Sequence, residues 1–336
     1  MRTYLIAALV AAAAIAAPAQ AQGERWQHEE SGISVPRSIG DMSLSQERDG
    51  SGGQKYDMVL QYGTSRTPVT LYVYRSAYPN AAIWFERTRL AMNANVGADV
   101  QSAAPRSFTL GGATAPNGLR EEIALAGGQA TGVAIAQVGE WIVKLRITSN
   151  EIGRAAIAER MDRLLEALRF ANPAPATHPL TVPGPCADGH AMRGRQLRLN
   201  SRHRATAAAV SVLGYGDARG IGGLAAEPAR WCRVTQTKLP VQLGSLYRRR
   251  DGNGWVALLG DSGRAAAAFL TELPGDSVRA VLFASLPAST HSVAAYDGVP
   301  DPEEAIPLAI PVVIGQARGI AEMGTEPADG PRRRRD

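Results

Sequence analysis

Residues 131–170 read TGVAIAQVGEWIVKLRITSNEIGRAAIAERMDRLLEALRF, and their spacing predicts two strands followed by a helix. Side chains on a strand alternate between faces. Val133 and Ile135 therefore share one face of a first arm. Trp141, Val143, Leu145 and Ile147 share a face of the second, and Lys144 and Arg146 take the other. Gly139 sits between the arms, where a tight turn wants backbone angles that glycine adopts without strain. Beyond the second arm the period changes. Ile157, Met161, Leu164, Leu165 and Leu168 recur at helical spacing, and the stripe they form has to bury itself against the adjacent hairpin. Ser149 and Asn150 are good helix caps, and Glu151 suits the positive end of a helix dipole. On this reading the polar residues of the stretch are caps and solvent-facing charges, with no group left over for chemistry.

The residues before it are read in the same way. Residues 23–30 are a loose lead-in, and SGISVPRSIG is a short strand ended by Pro36. Tyr56, Met58, Leu60 and Tyr62 alternate with Asp57, Val59 and Gln61. Val69, Leu71 and Val73 alternate with Thr70, Tyr72 and Tyr74, so the two runs form a hairpin. Asn80 caps a helix that Gly97 stops, its apolar side made by Ile83, Trp84, Leu90, Ala91 and Ala94. Short strands follow at 108–110 and 119–125. Runs of strands with few helices predict an antiparallel α+β fold. The order of elements, from the "ISVP" strand through "WIVKLRIT" to the closing helix "LLEALRF", resembles the Mog1/PsbP/DcrB-like α/β/α sandwich over residues 31–170. The resemblance implies a non-catalytic accessory or binding role and carries over no site residue.

Residues 171–185, ANPAPATHPLTVPGP, hold five prolines. Such a run forms neither a helix interior nor a central strand and reads as a semi-rigid linker. It separates the first domain, 31–170, from a second at 186–323. That second part reads as mainly β. Strands are expected at 196–199, 209–213, 277–286 and 291–296, an extended run at 231–247, and a hairpin from 255–259 and 265–270. Residues 214–223 read as a loop. Asp301 and Pro302 start a helix that Pro307 and Pro311 limit to about a turn, and 312–323 reads as a last short helix. The tail 324–336, with Arg332 to Arg335, is expected to be disordered.

The first 21 residues have one early charge, an apolar run and a small-residue site at Ala19-Gln20-Ala21, the pattern of a cleaved secretory signal. The expected location is periplasmic or secreted. In that setting two cysteines, Cys186 and Cys232, read as a disulfide. His190 lies near Cys186, but the spacing matches no zinc site, and neither metal nor cofactor is expected. The formal net charge of +5 shrinks once Arg2 leaves and the arginine tail is set aside. A near-neutral body is not that of a nucleic-acid binder.

Candidate chemistry is sparse. Gly260-Asp261-Ser262-Gly263 is similar to the nucleophile motif of trypsin-like proteases, but Arg264-Ala265 follows and no matching histidine context precedes it. A hairpin turn explains the same residues. The glycines between 214 and 223 fit no phosphate-loop spacing. Glu121 and Glu122 point to opposite faces of a strand and are no acid–base pair. Tyr56, Tyr62, Tyr72, Tyr74 and Tyr78 suit a half-buried sheet under a helix. Arg193, Arg195, Arg198, Arg202 and Arg204 form one basic cluster, and Arg248, Arg249 and Arg250 another. If the two converge they would hold an anionic partner, since arginine forks match phosphate oxygens. The expected function is a non-catalytic envelope protein that binds a protein partner or an anionic surface component. The alternatives are a serine hydrolase using Ser262 and a small-ligand site between the domains.

Overall fold

The computed structural model describes residues 24–96, 101–102, 104–171, 180–187, 192–220, 227–237, 239, 244–260, 263–271, 277–287 and 289–324. The signal-like segment, Gly97, residues 172–179, His190, Asp261, Ser262 and the arginine tail lie outside them.

The chain opens with β1 (Arg25–His28), β2 (Ile33–Pro36), β3 (Ser38–Ile39) and β4 (Met42–Asp49). The hairpin β5 (Asp57–Gly63) and β6 (Pro68–Arg75) leads to helix α1 (Ala81–Val96). Then come β7 (Gln101–Ser102), β8 (Arg106–Phe108), β9 (Gly118–Ala124), β10 (Ala130–Val138) and β11 (Trp141–Ser149). Helix α2 (Arg154–Ala167) and β12 (Arg169–Phe170) close this half. The main sheet runs β3-β4-β5-β6-β11-β10-β9-β7, with β8 also on β9, and a small sheet runs β1-β2-β12. Every strand pair is antiparallel, as expected of an α+β fold.

The second half holds helix α3 (Ser201–Gly220), β13 (Trp231–Arg233), β14 (Gly244–Arg249), β15 (Gly254–Leu259) and β16 (Arg264–Leu270). It ends with β17 (Ala280–Ser285), β18 (Ser289–Tyr296), helix α4 (Pro302–Val313) and β19 (Ala321–Gly324). These strands form one antiparallel sheet in chain order. Cys186 and Cys232 are joined in a disulfide, which ties the segment after the proline run to β13. Among the described residues no helix is long and apolar enough to cross a membrane.

Strand alternation builds the layers. Val69, Leu71, Val73, Val143, Leu145 and Ile147 face Ile157, Met161 and Leu164 of α2 and the small sheet. Tyr74, Val133, Ile135 and Ile142 point the other way, onto α1. The far side of α1 meets Trp231, Tyr247, Val256, Leu258, Ala265 and Ala267 of the second sheet, so one core spans both halves. α4 and Met192 cover the outer face of the second sheet, and α3 packs on Val281, Phe283 and Ala295. Burial on both sides explains why Ala81 to Thr88 are all buried, while Leu90 and Ala91 are half-buried and Ala94 is exposed. Each of the fully buried Trp84, Phe85 and Ile83 side chains contributes about 1.5–3 kcal/mol.

Several expectations are corrected. Residues 25–28 are a paired strand, because Trp26 buries itself in the first core. Ser149 does not cap α2. It accepts from the N–H groups of Glu151 and Ile152 at 3.0 and 3.1 Å, closing a turn before the helix. Residues 209–213 belong to α3, as do 214–220. Alanine at 205 and 207–209 favours helix, and packing of Ala207 and Val210 outweighs the roughly 1 kcal/mol that each of Gly214 and Gly216 costs. α4 runs through Pro307 and Pro311. Pro307 lies on the exposed side, while Ala305, Ile306, Ala309, Val312 and Val313 are buried and hold the helix to the sheet. Residues 312–323 hold the end of α4, turns and the start of β19 instead of a new helix.

Candidate functional site

Residues 192–200 form a strap beside the end of β18. The Gly194 N–H donates to the Val299 carbonyl at 2.9 Å, Asp297 N–H to Arg195 at 3.1 Å and Leu197 N–H to Ala295 at 2.8 Å. A Cβ on Gly194 would lie 2.0 Å from the Gly298 carbonyl oxygen, so only glycine lets the two backbones pass. The strap then turns into α3. Asn200 caps that helix: its side chain accepts from the His203 N–H at 2.8 Å and its carbonyl from the Arg204 N–H at 3.0 Å.

The strap and the capped turn set the arginines. Arg195 is neutralised by Asp297, which accepts its backbone N–H at 2.7 Å and its guanidinium at 2.9 and 3.0 Å. That backbone hydrogen bond, with help from the guanidinium, holds the Asp297 carboxyl below its ordinary value. Arg193, Arg198, Arg202 and Arg204 are exposed. His203 is inserted among them, its Nδ1 2.9 Å from the Arg198 carbonyl oxygen and its Nε2 2.9 Å from Ser277 Oγ. Arg279, two residues after Ser277, is exposed as well. Arg193, Arg198, Arg204 and Arg279 have no carboxylate partner among the described residues.

The second arginine cluster goes elsewhere. Arg248 is buried and points to the α4 side, where it lines a cavity of about 180 Å³ with Thr237, Asp301 and Glu303. Arg249 points to the opposite side and pairs with Asp251 at 2.6 Å. Arg250 donates to the Ala229 carbonyl at 3.1 Å. Arg249 and Arg250 are thus engaged locally, while the cavity of Arg248 shares Met192 and Asp301 with a second one that Arg193 and Arg195 line. A cavity of about 480 Å³ between the strap and α4 is lined by Arg193, Arg195, Asp301, Glu304, Tyr296 and Leu308, with both charge signs represented.

Gly260 and Gly263 close the β15–β16 hairpin with positive φ, and their carbonyls accept from Arg87 Nε at 3.1 Å and from the Ala77 N–H at 2.9 Å. The glycines of the protease-like motif therefore dock the hairpin on the first half. Ser262 itself lies outside the described residues.

The largest surprise in polarity is Lys144. Strand alternation predicts a solvent-facing side chain, yet it is 0 % exposed, its Nζ 4.9 Å from the centre of the Tyr72 ring. Glu121 and Glu122 do take opposite faces but are both buried, Glu121 against Arg89 at 3.1 Å and Glu122 against Arg120 at 2.7 Å. The sequence held a signal for this. β10 is apolar on both faces (Val133 and Ile135, Ala134 and Ala136), and two-sided burial is what such a strand implies. Of the tyrosines, Tyr62 packs in the first core and Tyr74 and Tyr78 in the second, Tyr72 packs at the edge of the second, and Tyr56 is half-buried beside Trp141.

No family model matches the chain, and no curated protein matches it. Part of the chain matches the solution structure of cyanobacterial PsbP (CyanoP) from a Synechocystis species, at 9% identity, over 44% of this chain and 91% of that one, with a TM-score of 0.30. A crystal structure from Bacteroides thetaiotaomicron matches at 14% identity over 57% of this chain, with a TM-score of 0.28. The matched region there is 60% of that chain.

Proposed function

We propose that the protein binds an anionic component of the cell envelope through the basic face at the start of α3. What supports this is the set of exposed arginines Arg198, Arg204 and Arg279, which have no carboxylate partner among the described residues, with Arg202 exposed beside His203 in the chain. Arg195 of the strap and Arg249 of β14 are, by contrast, each matched by an aspartate. Unmatched, forked donors on one surface suit phosphate or carboxylate groups.

The test is co-sedimentation with phosphatidylglycerol vesicles, against phosphatidylcholine vesicles and with inorganic polyphosphate as competitor. Each arginine at an anionic lipid surface contributes about 1 kcal/mol, so the Arg198→Gln, Arg202→Gln, Arg204→Gln triple variant loses binding on the order of 100-fold. Arg249→Glu, on another surface, leaves binding unchanged. Added salt weakens it, because exposed charges are screened over about 8 Å at physiological ionic strength. Equal binding by the triple variant overturns the reading. Binding of the wild type to a purified envelope protein with no response to the triple variant favours a protein partner.

A further inference from the structure

We infer that Ser277 and His203 form a nucleophile–base pair that hydrolyses a carboxylic ester carrying an anionic group.

The protonation pattern follows from the contacts. A carbonyl oxygen only accepts, so His203 Nδ1, 2.9 Å from the Arg198 carbonyl, has to carry the proton. In the neutral ring Nε2 then holds the lone pair. Ser277 Oγ, 2.9 Å away, therefore donates its proton to Nε2. This is the arrangement that activates a serine: a hydroxyl on a base, and the base held in one tautomer by a third group. The third group here is a backbone carbonyl, placed by the bend of the strap into α3.

Among the described residues two other serine–histidine contacts do not qualify. His28 is 2 % exposed, and its Nδ1 also receives the Ser31 N–H within a local turn. His291 and Ser289 are two residues apart on β18, joined at 3.0 Å. Ser277 and His203 are 74 residues apart, brought together by the packing of α3 on the second sheet, and Ser277 is exposed.

The surroundings select the substrate class, and here the inference rests on the anion-binding reading. Arg198, whose carbonyl holds His203, the helix neighbours Arg202 and Arg204, and Arg279 two residues from Ser277 are all exposed, and one or more of them would hold a carboxylate or phosphate on the substrate. The positive field of the arginines and of the first turn of α3 favours the negative charge that develops on the ester carbonyl oxygen.

The step is acyl transfer. Ser277 Oγ forms a bond to the ester carbonyl carbon as its proton passes to His203 Nε2. The carbon–oxygen bond to the alcohol breaks, and the alcohol leaves with that proton. Water, deprotonated by the same nitrogen, then releases the acid and restores Ser277. Ester and water become acid and alcohol.

The experiment is fluorophosphonate labelling of the full chain with peptide mapping, alongside hydrolysis of mono-4-nitrophenyl succinate and 4-nitrophenyl acetate. In labelling, Ser277 Oγ bonds to phosphorus and fluoride leaves. The expected result is a label on Ser277 that Ser277→Ala abolishes. Turnover falls roughly 100-fold in His203→Gln. The anionic succinate ester is preferred, and Arg279→Gln reduces that preference. A melting curve of each variant separates loss of chemistry from loss of fold. No label on Ser277, a label on Ser262 instead, or a label indifferent to His203→Gln overturns the inference. Vesicle binding retained without labelling defeats this inference alone. Labelling retained without vesicle binding defeats the anion-binding reading alone.

Discussion

Arg233 Nε lies 3.5 Å from Glu86 Oε1, and with that contact a strand of the second half completes an ion chain begun on the first sheet. Glu121 meets Arg89 at 3.1 Å, and Arg89 meets Glu86 at 3.6 Å. The charges alternate in sign from β9 through α1 to β13.

Glu86 is the member with two cationic partners. Glu86→Ala leaves Arg89 and Arg233 without the carboxylate they share, and a loss of about 2 kcal/mol follows from the burial of the site. Arg233→Ala costs less, being at a more open position. A double-mutant cycle in urea is expected to give a Glu86–Arg233 coupling of about 0.5 kcal/mol or more. Strict additivity would mean that the contact does not hold the halves together.

The buried acids and the buried histidine respond to pH in opposite senses. Burial raises the Asp57 carboxyl above its ordinary 3.8, with Arg264 opposing, and burial raises Glu121 above 4.5, with Arg89 opposing. The folded chain therefore holds these protons more tightly than the unfolded chain. Their contribution to stability is fully present below the ordinary values and is lost as pH rises through the raised ones. His28 is the reverse. Burial lowers it below 6.5, so its contribution is lost as pH falls from 6.5 through the lowered value. Urea midpoints between pH 7.5 and pH 4 check both signs. Asp57→Asn and Glu121→Gln should each remove part of the gain on acidification, and His28→Gln part of the loss.

Two glycines with nearly equal backbones provide a controlled comparison. Gly263 has φ of 76° and Gly252 has φ of 77°. A Cβ at Gly252 meets nothing within 4 Å, whereas at Gly263 it would lie 2.8 Å from the Arg75 carbonyl oxygen and 2.9 Å from the Tyr74 ring. Gly252→Ala should cost only the left-handed backbone penalty of about 1–2 kcal/mol. Gly263→Ala should cost more, since the hairpin has to back away from the first half. Equal melting points for the two variants would contradict the docking of this hairpin.

The disulfide closes a loop with a sequence separation of 46. On the chain-entropy model a loop of that length stabilises by about 4 kcal/mol. The Cys186→Ser, Cys232→Ser double variant, and the wild type in reductant, should both lose about that much in a urea titration. A much smaller loss would mean that the reduced unfolded chain retains structure around β13.

Much of the first half was legible because its strands announce themselves twice. Val69, Leu71 and Val73 alternate with polar neighbours, and Asn80 then caps α1 as expected, accepting from the Ala82 and Ile83 N–H groups at 2.8 and 3.1 Å. The second half hid its helices. Residues 209–213 read as a strand because Val210, Val212 and Leu213 suit one, and the Asn200 cap that starts α3 became visible only in the structure. Pro307 and Pro311 read as stops because the sequence does not say which side of α4 faces water. Lys144 was misread for a related reason: alternation gives the face on which a residue lies, but not whether that face is covered. The basic cluster at 193–204 was visible as composition. Its connection to Ser277 was not, since that depends on α3 lying across the sheet.

The placement of α1 between the two sheets sets a problem of timing. The helix leaves the ribosome well before β14 to β16, which cover its far side. At ordinary rates of synthesis the wait is on the order of ten seconds. Throughout it the Trp84–Phe85 helix has one sheet and needs two. The nascent chain thus carries an adhesive, half-finished layer, the kind of surface that holding chaperones bind. A chain cut within the proline run would keep that surface for good and collect as aggregate.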